Sequence, residues 1–253
     1  MVLYYIEMLI LTIAVVGVVR ATYTDLRENI IPNRLTYPLV GAGVALNLFM
    51  YFHTGDFITS LYGFFGAAIA YGIGVVLYIV GAWAGGDVKL FAALGALLPV
   101  APEPLFSSHT AIIFTDIPIF PLTILMNGII VAAPVLIVYI ISFYTKGESL
   151  TVQEIDVPDL DEEMIPAESV WERDGNVESG SSLPEEYEKS YIESSGLDAF
   201  GPDRLEEIRG LYQDGRLESI KVKRVFPFAP VFAAGTISGI LFGNIYLGLV
   251  LLM

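Results

Sequence analysis

The sequence contains no cysteine and only two histidines among its 253 residues. Without cysteine the chain has no thiol nucleophile, no disulfide and no Cys-ligated zinc site. Basic residues are also scarce, with 13 lysines and arginines against 28 aspartates and glutamates. The absence of cysteine says little about the cellular compartment.

Hydrophobic and acidic residues are both abundant, but they occupy different parts of the chain. Hydrophobic residues make up 55% of the sequence and the mean hydropathy is +0.65, yet the formal net charge is −15. Residues 147–220 hold 21 acidic and 5 basic side chains, whereas the rest of the chain holds 7 acidic and 8 basic ones. The sequence therefore predicts a near-neutral membrane body that carries one acidic, water-soluble insert.

Long apolar runs predict the fold class, because a transmembrane helix needs roughly 20 predominantly apolar residues. The segments that qualify or nearly qualify are Val2–Val19, Leu35–Phe52, Phe57–Ala82, Val88–Val100, Pro121–Tyr144 and Phe228–Leu252. The fourth is too short to span alone, so we expect it to be tilted or continued by part of Pro104–Ile117. We thus predict an all-α polytopic membrane protein with six transmembrane helices. The first helix lacks the basic n-region of a signal peptide, so we expect it to be retained.

These helices and the insert divide the chain into three segments. Residues 1–146 are expected to form the membrane body with helices 1 to 5, residues 147–224 the acidic insert, and residues 225–253 the sixth transmembrane helix. Within the insert, much of Gly147–Gly201 is expected to be loop or weakly ordered. A helix is predicted over Pro202–Gln213 and a short strand over Ile220–Val225. The insert is therefore expected to be mixed α/β or partly irregular.

Basic residues orient the membrane body, because lysine and arginine concentrate in cytoplasmic loops. With the N-terminus outside, all 13 lysines and arginines fall on or beside the cytoplasmic side, and the outer loops contain none. We therefore predict a multi-pass protein of the cytoplasmic membrane whose insert faces the cytoplasm. His53 and His109 fall in the outer loops, so no His–Asp pair or histidine metal site is expected at the cytoplasmic face.

Asp87 lies where a membrane helix is about to begin, directly after Gly85 and Gly86. An ionisable residue at this depth is costly and indicates a function. The structural alternative is that Asp87 caps the helix while the two glycines ease the turn. A second aspartate, Asp25, is expected about one turn beyond the membrane boundary at the same face, and this favours the functional interpretation.

Two neighbouring carboxylates at a membrane–water boundary cannot both ionise cheaply, so one keeps its proton and the pair titrates as a unit. Such a pair suits hydrolysis of a peptide bond. The ionised acid activates a water molecule, while the protonated acid donates to the carbonyl oxygen. The cytoplasmic edge supplies the water, and Gly85 and Gly86 would let a substrate backbone approach Asp87.

The segments around both aspartates resemble known motifs. Asp25-Leu-Arg-Glu-Asn-Ile-Ile-Pro32-Asn33 looks like the first-aspartate motif of the type IV prepilin peptidase superfamily. Gly85-Gly86-Asp87-Val88-Lys89-Leu90 resembles its GxGD motif, with Ala84 where the first glycine is expected. Phe226-Pro227-Phe228-Ala229-Pro230 also fits the superfamily. Six helices with an insert before the last, without zinc-finger cysteines or a methyltransferase domain, point to the archaeal preflagellin (prearchaellin) peptidase branch.

The resemblance implies a membrane aspartic endopeptidase that removes the short basic leader from archaeal flagellin (archaellin) precursors and other type IV pilin-like precursors. The catalytic dyad would be Asp25 and Asp87. The residues that would bind substrate or support the motifs are Gly85, Gly86, Pro32, Asn33 and Lys89. No metal or other cofactor is implied. The expected partners are the precursor proteins and the lipid bilayer, with no nucleic acid.

Two other functions use intramembrane acids. A transporter or channel would employ the aspartates as a proton or cation relay. Against it, both aspartates lie at one face, no acid other than Glu7 is expected near the outer side, and no clear inverted repeat is present. A presenilin-like protease would cut within helices, but that family has more spans. Its first aspartate also lies inside a helix, whereas a polar loop follows Asp25.

Two further features each leave two interpretations open. The acidic insert either attracts the basic leader by long-range electrostatics or merely stays soluble through its charge. The last helix carries Gly235, Gly239 and Gly243 at a spacing that is typical of close helix packing. The alternative is that a substrate helix docks on these glycines.

Overall fold

The computed structural model describes residues 2–52, 55–102, 119–147, 149, 151–162, 164–194, 199–224 and 226–251. The chain forms two compact units, one of Met1–Val138 with Phe226–Met253 and the other of Tyr139–Val225. The apolar helices lie mainly in the first unit, and the strands lie in the second. The domain boundaries expected after residues 146 and 224 stay predictions.

The helices follow the apolar runs of the sequence. In chain order they are α1 (Val2–Glu28), α2 (Asn33–Phe52), α3 (Phe57–Ser60), α4 (Tyr62–Ile79), α5 (Gly85–Leu97), α6 (Phe120–Lys146), α7 (Gly201–Gln213), α8 (Ala229–Phe242) and α9 (Ile245–Leu251). Within the described residues, α1, α4 and α6 are long and apolar enough to cross a membrane. The fold is thus mostly helical with a small sheet region, and its apolar helices are those of a membrane protein.

The segment expected to form a single helix over Phe57–Ala82 is interrupted. The short helix α3 ends at Ser60, Leu61 lies between the helices, and α4 begins at Tyr62. Asp56 caps α3, since its Oδ1 accepts hydrogen bonds from the next helical N–H groups at 3.1 and 3.3 Å. A cap of this kind satisfies N–H groups that have no partner inside the helix.

The expected last helix, Phe228–Leu252, is also interrupted. It forms α8 and α9, which are separated at Gly243, where φ is +72°. Glycine adopts this conformation without a steric penalty. The fully buried Asn127 of α6 completes the break, because its Nδ2 donates to the Gly243 carbonyl at 2.7 Å and its Oδ1 accepts from the Ile245 N–H at 3.0 Å. The polar groups freed by the break are therefore paired inside the protein, as an apolar surrounding requires.

Helix α5 is the most enclosed helix of the first unit. It packs against α2 and α4, and also against α1 and α8. Asp87, Val88 and all residues from 90 to 97 are buried. Its 13 residues extend about 20 Å, which is short of the hydrocarbon thickness of about 30 Å. The stretch Pro104–Ile117, which was expected to continue this helix, lies outside the described residues.

Glycines let the helices around α5 approach closely. A side chain on Gly66 of α4 would collide with the Gly95 carbonyl of α5, and one on Gly95 would collide with the Gly66 carbonyl. These two helices therefore touch backbone to backbone, as small residues permit in membrane bundles. By contrast, a Cβ built on Gly41 or Gly72 has nothing within 4 Å.

The glycines of α8 pack against α6. The backbone of Ile124 occupies the place that a side chain on Gly235 would need, and a Cβ on Gly239 would lie 3.0 Å from the ring of Phe120. Gly128 of α6 in turn faces the Val231 carbonyl. The helix-packing interpretation of these glycines is thus confirmed, and α6 covers the face on which a substrate helix was the alternative.

The second unit contains more strand than the sequence suggested. Its strands are β1 (Val152–Asp156), β2 (Ser169–Arg173), β3 (Asn176–Gly180), β4 (Lys189–Ile192) and β5 (Ser219–Lys223). Strands β1 and β5 pair antiparallel, and β2 lies between β3 and β4 in an antiparallel sheet. The predicted helix and final strand are confirmed as α7 and β5. Strands β1 to β4 hold 19 residues of Gly147–Gly201, and most of the other described residues there are turns or irregular, as expected. The alternative of weak order is wrong, because the segment contributes buried residues to a core.

An Asp-Gly turn and a hydrophobic core explain why this acidic segment folds. Asp174 and Gly175 both have positive φ, 52° and 75°, and they join β2 to β3. Two such residues form the two-residue hairpin turn whose twist matches the flanking strands. The buried apolar residues of the unit are Val157, Leu160, Val170, Ile192, Phe200, Leu205, Ile208, Leu211, Ile220 and Val222. The unit therefore orders around its own core despite its acidic composition.

Candidate active site

Asp25 lies in the last turn of α1 and is only 5% exposed. Its Oδ2 accepts a hydrogen bond from the backbone N–H of Ala229 at 3.0 Å. Ala229 is the first residue of α8, where N–H groups have no partner within their own helix. Asp25 thus caps α8 from another helix, and the N-terminal end of α8 favours negative charge at this carboxyl group.

Asp87 lies in the first turn of α5 and is 3% exposed. Its Oδ2 accepts a hydrogen bond from the backbone N–H of Ala84 at 2.9 Å. This is half of a capping box, because Ala84 has no side-chain oxygen that could return the bond. The expectation that Asp87 is the N-cap residue after a glycine turn is therefore wrong: Ala84 is the N-cap, the two glycines open the helix, and Asp87 is its third residue, whose carboxylate accepts the N–H of the cap residue. This bond does not compete with a chemical role, since it uses one of the two carboxylate oxygens.

The structure brings Asp25 and Asp87 together although they are 62 positions apart in the sequence. Their helices, α1 and α5, pack against each other, and the backbone donors of the two carboxyl groups directly follow Trp83 and Phe228, whose ring centroids lie 5.3 Å apart. Each carboxyl group is held by one backbone N–H from a different segment of the chain. Two buried carboxyl groups are costly for folding, and such arrangements concentrate at functional sites.

Gly85 and Gly86 have different surroundings. A Cβ on Gly86 would lie 3.1 Å from the Cβ of Ile31, which belongs to the loop that follows Asp25. Gly86 therefore permits close packing between the two aspartate segments. A Cβ on Gly85 would meet nothing within 4 Å, so the backbone at Gly85 is open on that side.

Pro32, Asn33 and Lys89 connect the loop after Asp25 to α5. The Pro32 carbonyl accepts the N–H of Leu35 at 2.9 Å where α2 begins, and Asn33 is the first residue of that helix. The Lys89 Nζ donates to the Asn33 Oδ1 at 2.7 Å. These residues therefore link the two aspartate segments, and their part in substrate binding stays a prediction.

Sequence reasoning missed an aromatic cluster beside the aspartates. The ring centroid of Trp83 lies 5.2 Å from that of Phe91, 5.3 Å from that of Phe228 and 5.2 Å from that of Phe232. Phe91 and Phe232 stack at 5.4 Å. The only signal in the sequence was position, since Trp83 directly precedes the segment that resembles the GxGD motif and Phe228 lies in the Phe226–Pro230 segment.

Among the residues that the structure describes, no three histidine, cysteine, aspartate or glutamate side chains cluster as a bound metal ion would require. His53 and His109 lie outside these residues. The described polar groups of the site are therefore the two carboxyl groups, their backbone donors and the Lys89–Asn33 pair.

Comparison with known proteins gives a consistent set of relatives. The model of the type IV leader peptidase family matches residues 10–136, a range that contains both aspartates. The prepilin peptidase EppA of Methanothermobacter thermautotrophicus is 39% identical over 142 residues, which cover 55% of this chain and 37% of that protein. A preflagellin peptidase of Methanococcus voltae is 29% identical over 124 residues, or 49% of this chain and 53% of that protein.

A preflagellin peptidase of Methanocaldococcus jannaschii is 24% identical over 177 residues, which cover 68% of this chain and 75% of that protein. The match covers only about a third of the length of EppA and about half of the length of the Methanococcus voltae protein.

Proposed function

Because the chain belongs to the type IV leader peptidase family, we propose that it is a membrane aspartic endopeptidase with Asp25 and Asp87 as its catalytic pair. One observation carries this proposal. Two buried carboxyl groups come from two helices that pack against each other, and each accepts a hydrogen bond from a backbone N–H. Two carboxyl groups can supply the general base and the general acid that hydrolysis of a peptide bond needs.

In the proposed reaction one carboxyl group is ionised and the other is protonated. The ionised group removes a proton from a water molecule, whose oxygen bonds to the scissile carbonyl carbon, while the protonated group donates to the carbonyl oxygen. As the tetrahedral intermediate collapses and the C–N bond breaks, the first group gives the proton of the water to the leaving amine, and the second group recovers its proton from a hydroxyl of the intermediate. The backbone donors from Ala84 and Ala229 keep the two groups oriented throughout.

We propose that the site lies at the cytoplasmic edge of a six-helix membrane body. The 24 residues from Val2 to Asp25 make about 36 Å of helix, slightly more than the hydrocarbon thickness of about 30 Å. Asp25 would then reach the interface, where water is available. The open side of Gly85 would admit the extended backbone of a substrate, while Gly86 keeps the two aspartate segments packed.

The substrates are proposed to be precursors of type IV pilin-like proteins or archaellins, which carry a short basic leader. The names of the relatives support both classes. The prepilin peptidase is 39% identical over its aligned part, whereas the two preflagellin peptidases are 29% and 24% identical. Both precursor types therefore belong in the assay.

The test is cleavage of a pilin-like and an archaellin precursor by membranes that contain the wild type, Asp25→Asn or Asp87→Asn. We expect only the wild type to remove the leader. Asp56→Asn is the matched control, because Asp56 also caps a helix of the first unit and asparagine caps nearly as well. Full cleavage by either catalytic variant would disprove the dyad, and a wild type that is inert on both precursors would favour the ion-relay alternative.

We also propose that the acidic insert attracts the basic leader. The insert holds 21 acidic side chains against 5 basic ones between residues 147 and 220. If long-range attraction contributes, KM for the precursor rises with ionic strength, and neutralising the exposed Asp203 and Glu206 of α7 weakens that dependence. A KM that does not respond to salt would leave solubility as the function of this charge.

A further inference from the structure

The two backbone donors of the aspartates occupy equivalent places relative to the aromatic cluster. Ala84, whose N–H binds Asp87, directly follows Trp83. Ala229, whose N–H binds Asp25, directly follows Phe228. The rings of Trp83 and Phe228 contact each other with their centroids 5.3 Å apart.

The ring contact joins segments that are distant in the chain. Trp83 lies just before α5, and Phe228 lies just before α8. Phe232, one turn into α8, completes the contact, with its centroid 5.2 Å from Trp83 and 5.3 Å from Phe228. Trp83 is 6% exposed and Phe232 is fully buried, so this junction is part of the packed interior. Close-packed interiors transmit small displacements rather than absorbing them.

We propose that Trp83 and Phe228 form a positioning pair that fixes the two N–H donors relative to each other, and with them the spacing of Asp25 and Asp87. Each ring belongs to the residue directly before the one whose N–H it fixes. A shift of either ring therefore displaces a peptide group that holds a carboxyl group. The pair does not touch the reacting atoms. It acts through the backbone of Ala84 and Ala229.

The contact itself can be tested without any assay of activity. Hydrogen–deuterium exchange of the detergent-solubilised full chain reports on fragments that contain Ala84 or Ala229. If the pair couples the donors, Trp83→Leu accelerates exchange in the fragment with Ala229, and Phe228→Leu accelerates it in the fragment with Ala84. We expect exchange in each distant fragment to accelerate about fivefold or more. Coupling free energies between two sites are usually large enough to give such a factor, and the coupling acts in both directions.

Phe91→Leu is the matched control. Phe91 is fully buried and contacts Trp83 at 5.2 Å, but its backbone belongs to the middle of α5 and it does not neighbour either donor. We expect this variant to accelerate exchange around α5 and to affect the fragment with Ala229 clearly less than Trp83→Leu does, because Phe91 stacks on Phe232 of α8 but adjoins neither donor. Equal acceleration of the Ala229 fragment by all three variants, or none by Trp83→Leu, would overturn the positioning pair.

The consequence for catalysis rests on the proposed function and is measured separately. Trp83→Leu and Phe228→Leu are expected to lower kcat for precursor cleavage about tenfold or more, with KM within about twofold of wild type, because small misplacements of catalytic groups are costly. The double variant is expected to lose little more than either single variant, since both remove the same contact. Trp83→Phe should restore most of the rate.

The exchange and kinetic results separate the two ideas. An inert wild type with coupled exchange would reject the proposed function and keep the positioning pair. An active wild type whose kcat is unaffected by Trp83→Leu would reject the pair and keep the function. Additive losses in the double variant would likewise show that the two rings act independently.

Discussion

Asp25 and Ala229 are joined by a hydrogen bond of 3.0 Å although 204 positions separate them in the sequence. The bond ties the C-terminal end of α1 to the N-terminal end of α8, and these two helices also pack along their faces. Since both groups are buried, the bond matters for folding as well as for chemistry. The two contributions can be separated by the choice of substitution.

Asp25→Asn and Asp25→Ala are expected to be equally inactive but differently stable. Asparagine retains an oxygen that accepts the Ala229 N–H, whereas alanine leaves this buried donor unpaired. An unpaired buried polar group costs about 1–3 kcal/mol. We therefore expect the thermal midpoint of the detergent-solubilised protein to fall for Asp25→Ala and to stay near wild type for Asp25→Asn. Equal midpoints for the two variants would show that the hydrogen bond contributes nothing to stability.

The glycine contact between α4 and α5 predicts that the loss of stability on replacing glycine by alanine depends strongly on the position replaced. Gly66→Ala and Gly95→Ala each insert a methyl group into the carbonyl of the facing helix, and overpacking of this kind costs about 1–3 kcal/mol. Gly41→Ala and Gly72→Ala are the matched controls, because their new methyl groups meet nothing within 4 Å. The controls are expected to be neutral or stabilising by up to about 1 kcal/mol, since alanine is the better helix former. Thermal unfolding in detergent distinguishes the two classes.

The hydrogen bond between Lys89 and Asn33 predicts a measurable coupling between α5 and the start of α2. Lys89→Met and Asn33→Ala each remove the bond, and Asn33→Asp replaces it with an ion pair. A double-mutant cycle on thermal stability should give a coupling of about 0.5–1.5 kcal/mol between Lys89 and Asn33. Asn33→Asp should retain wild-type stability. A coupling indistinguishable from zero would mean that the two side chains contribute independently.

The second unit is expected to lose stability in acid through Glu172. This carboxylate accepts a hydrogen bond from the Tyr191 hydroxyl at 2.7 Å and another from Arg216, and these two donors hold the pKa of Glu172 below its usual range. The folded state thus favours the charged form. The contribution of Glu172 to the free energy of unfolding is present above the ordinary glutamate pKa of about 4.3, and it is lost as the pH falls through the lower, folded-state pKa.

Trp171 neighbours Glu172 on β2 and reports on this unit when Trp83 is replaced by phenylalanine, since the chain has two tryptophans. We expect the Trp171 melting midpoint to fall between about pH 5 and about pH 3, and Glu172→Gln to flatten that fall. Glu206→Gln, on exposed surface, is the control and should leave the pH profile unchanged. A profile that is identical for both variants would contradict the assignment to Glu172.

Local patterns in the sequence predicted several elements correctly, because they depend on neighbouring residues. The apolar stripe after Pro202 predicted α7, and alternation near Ile220 predicted β5. The resemblance to the type IV prepilin peptidase superfamily is confirmed by the match over residues 10–136. The Asp174-Gly175 hairpin was equally local, but the acidic composition around it obscured the signal.

Other features depend on contacts between distant residues and were not predictable from one chain. Ala229 is an ordinary helix-starting residue in the sequence, and only the packing of α1 against α8 turns its N–H toward Asp25. The interruption at Gly243 likewise depends on Asn127, which lies in another helix. The sequence singled out Asp25 and Asp87, but it could not indicate which backbone groups hold them.

The enclosure of α5 has a consequence for how this protein enters its membrane. A helix of about 20 Å that begins with two glycines and Asp87 is poorly suited to insert on its own, since the bilayer core is about 30 Å thick. Helices α2 and α4, which contact it most closely, are synthesised before it and can receive it, whereas α8 follows only after the whole second unit has been made. The hydrogen bond from Ala229 to Asp25 can therefore form only late in biogenesis, after both carboxyl groups have been made.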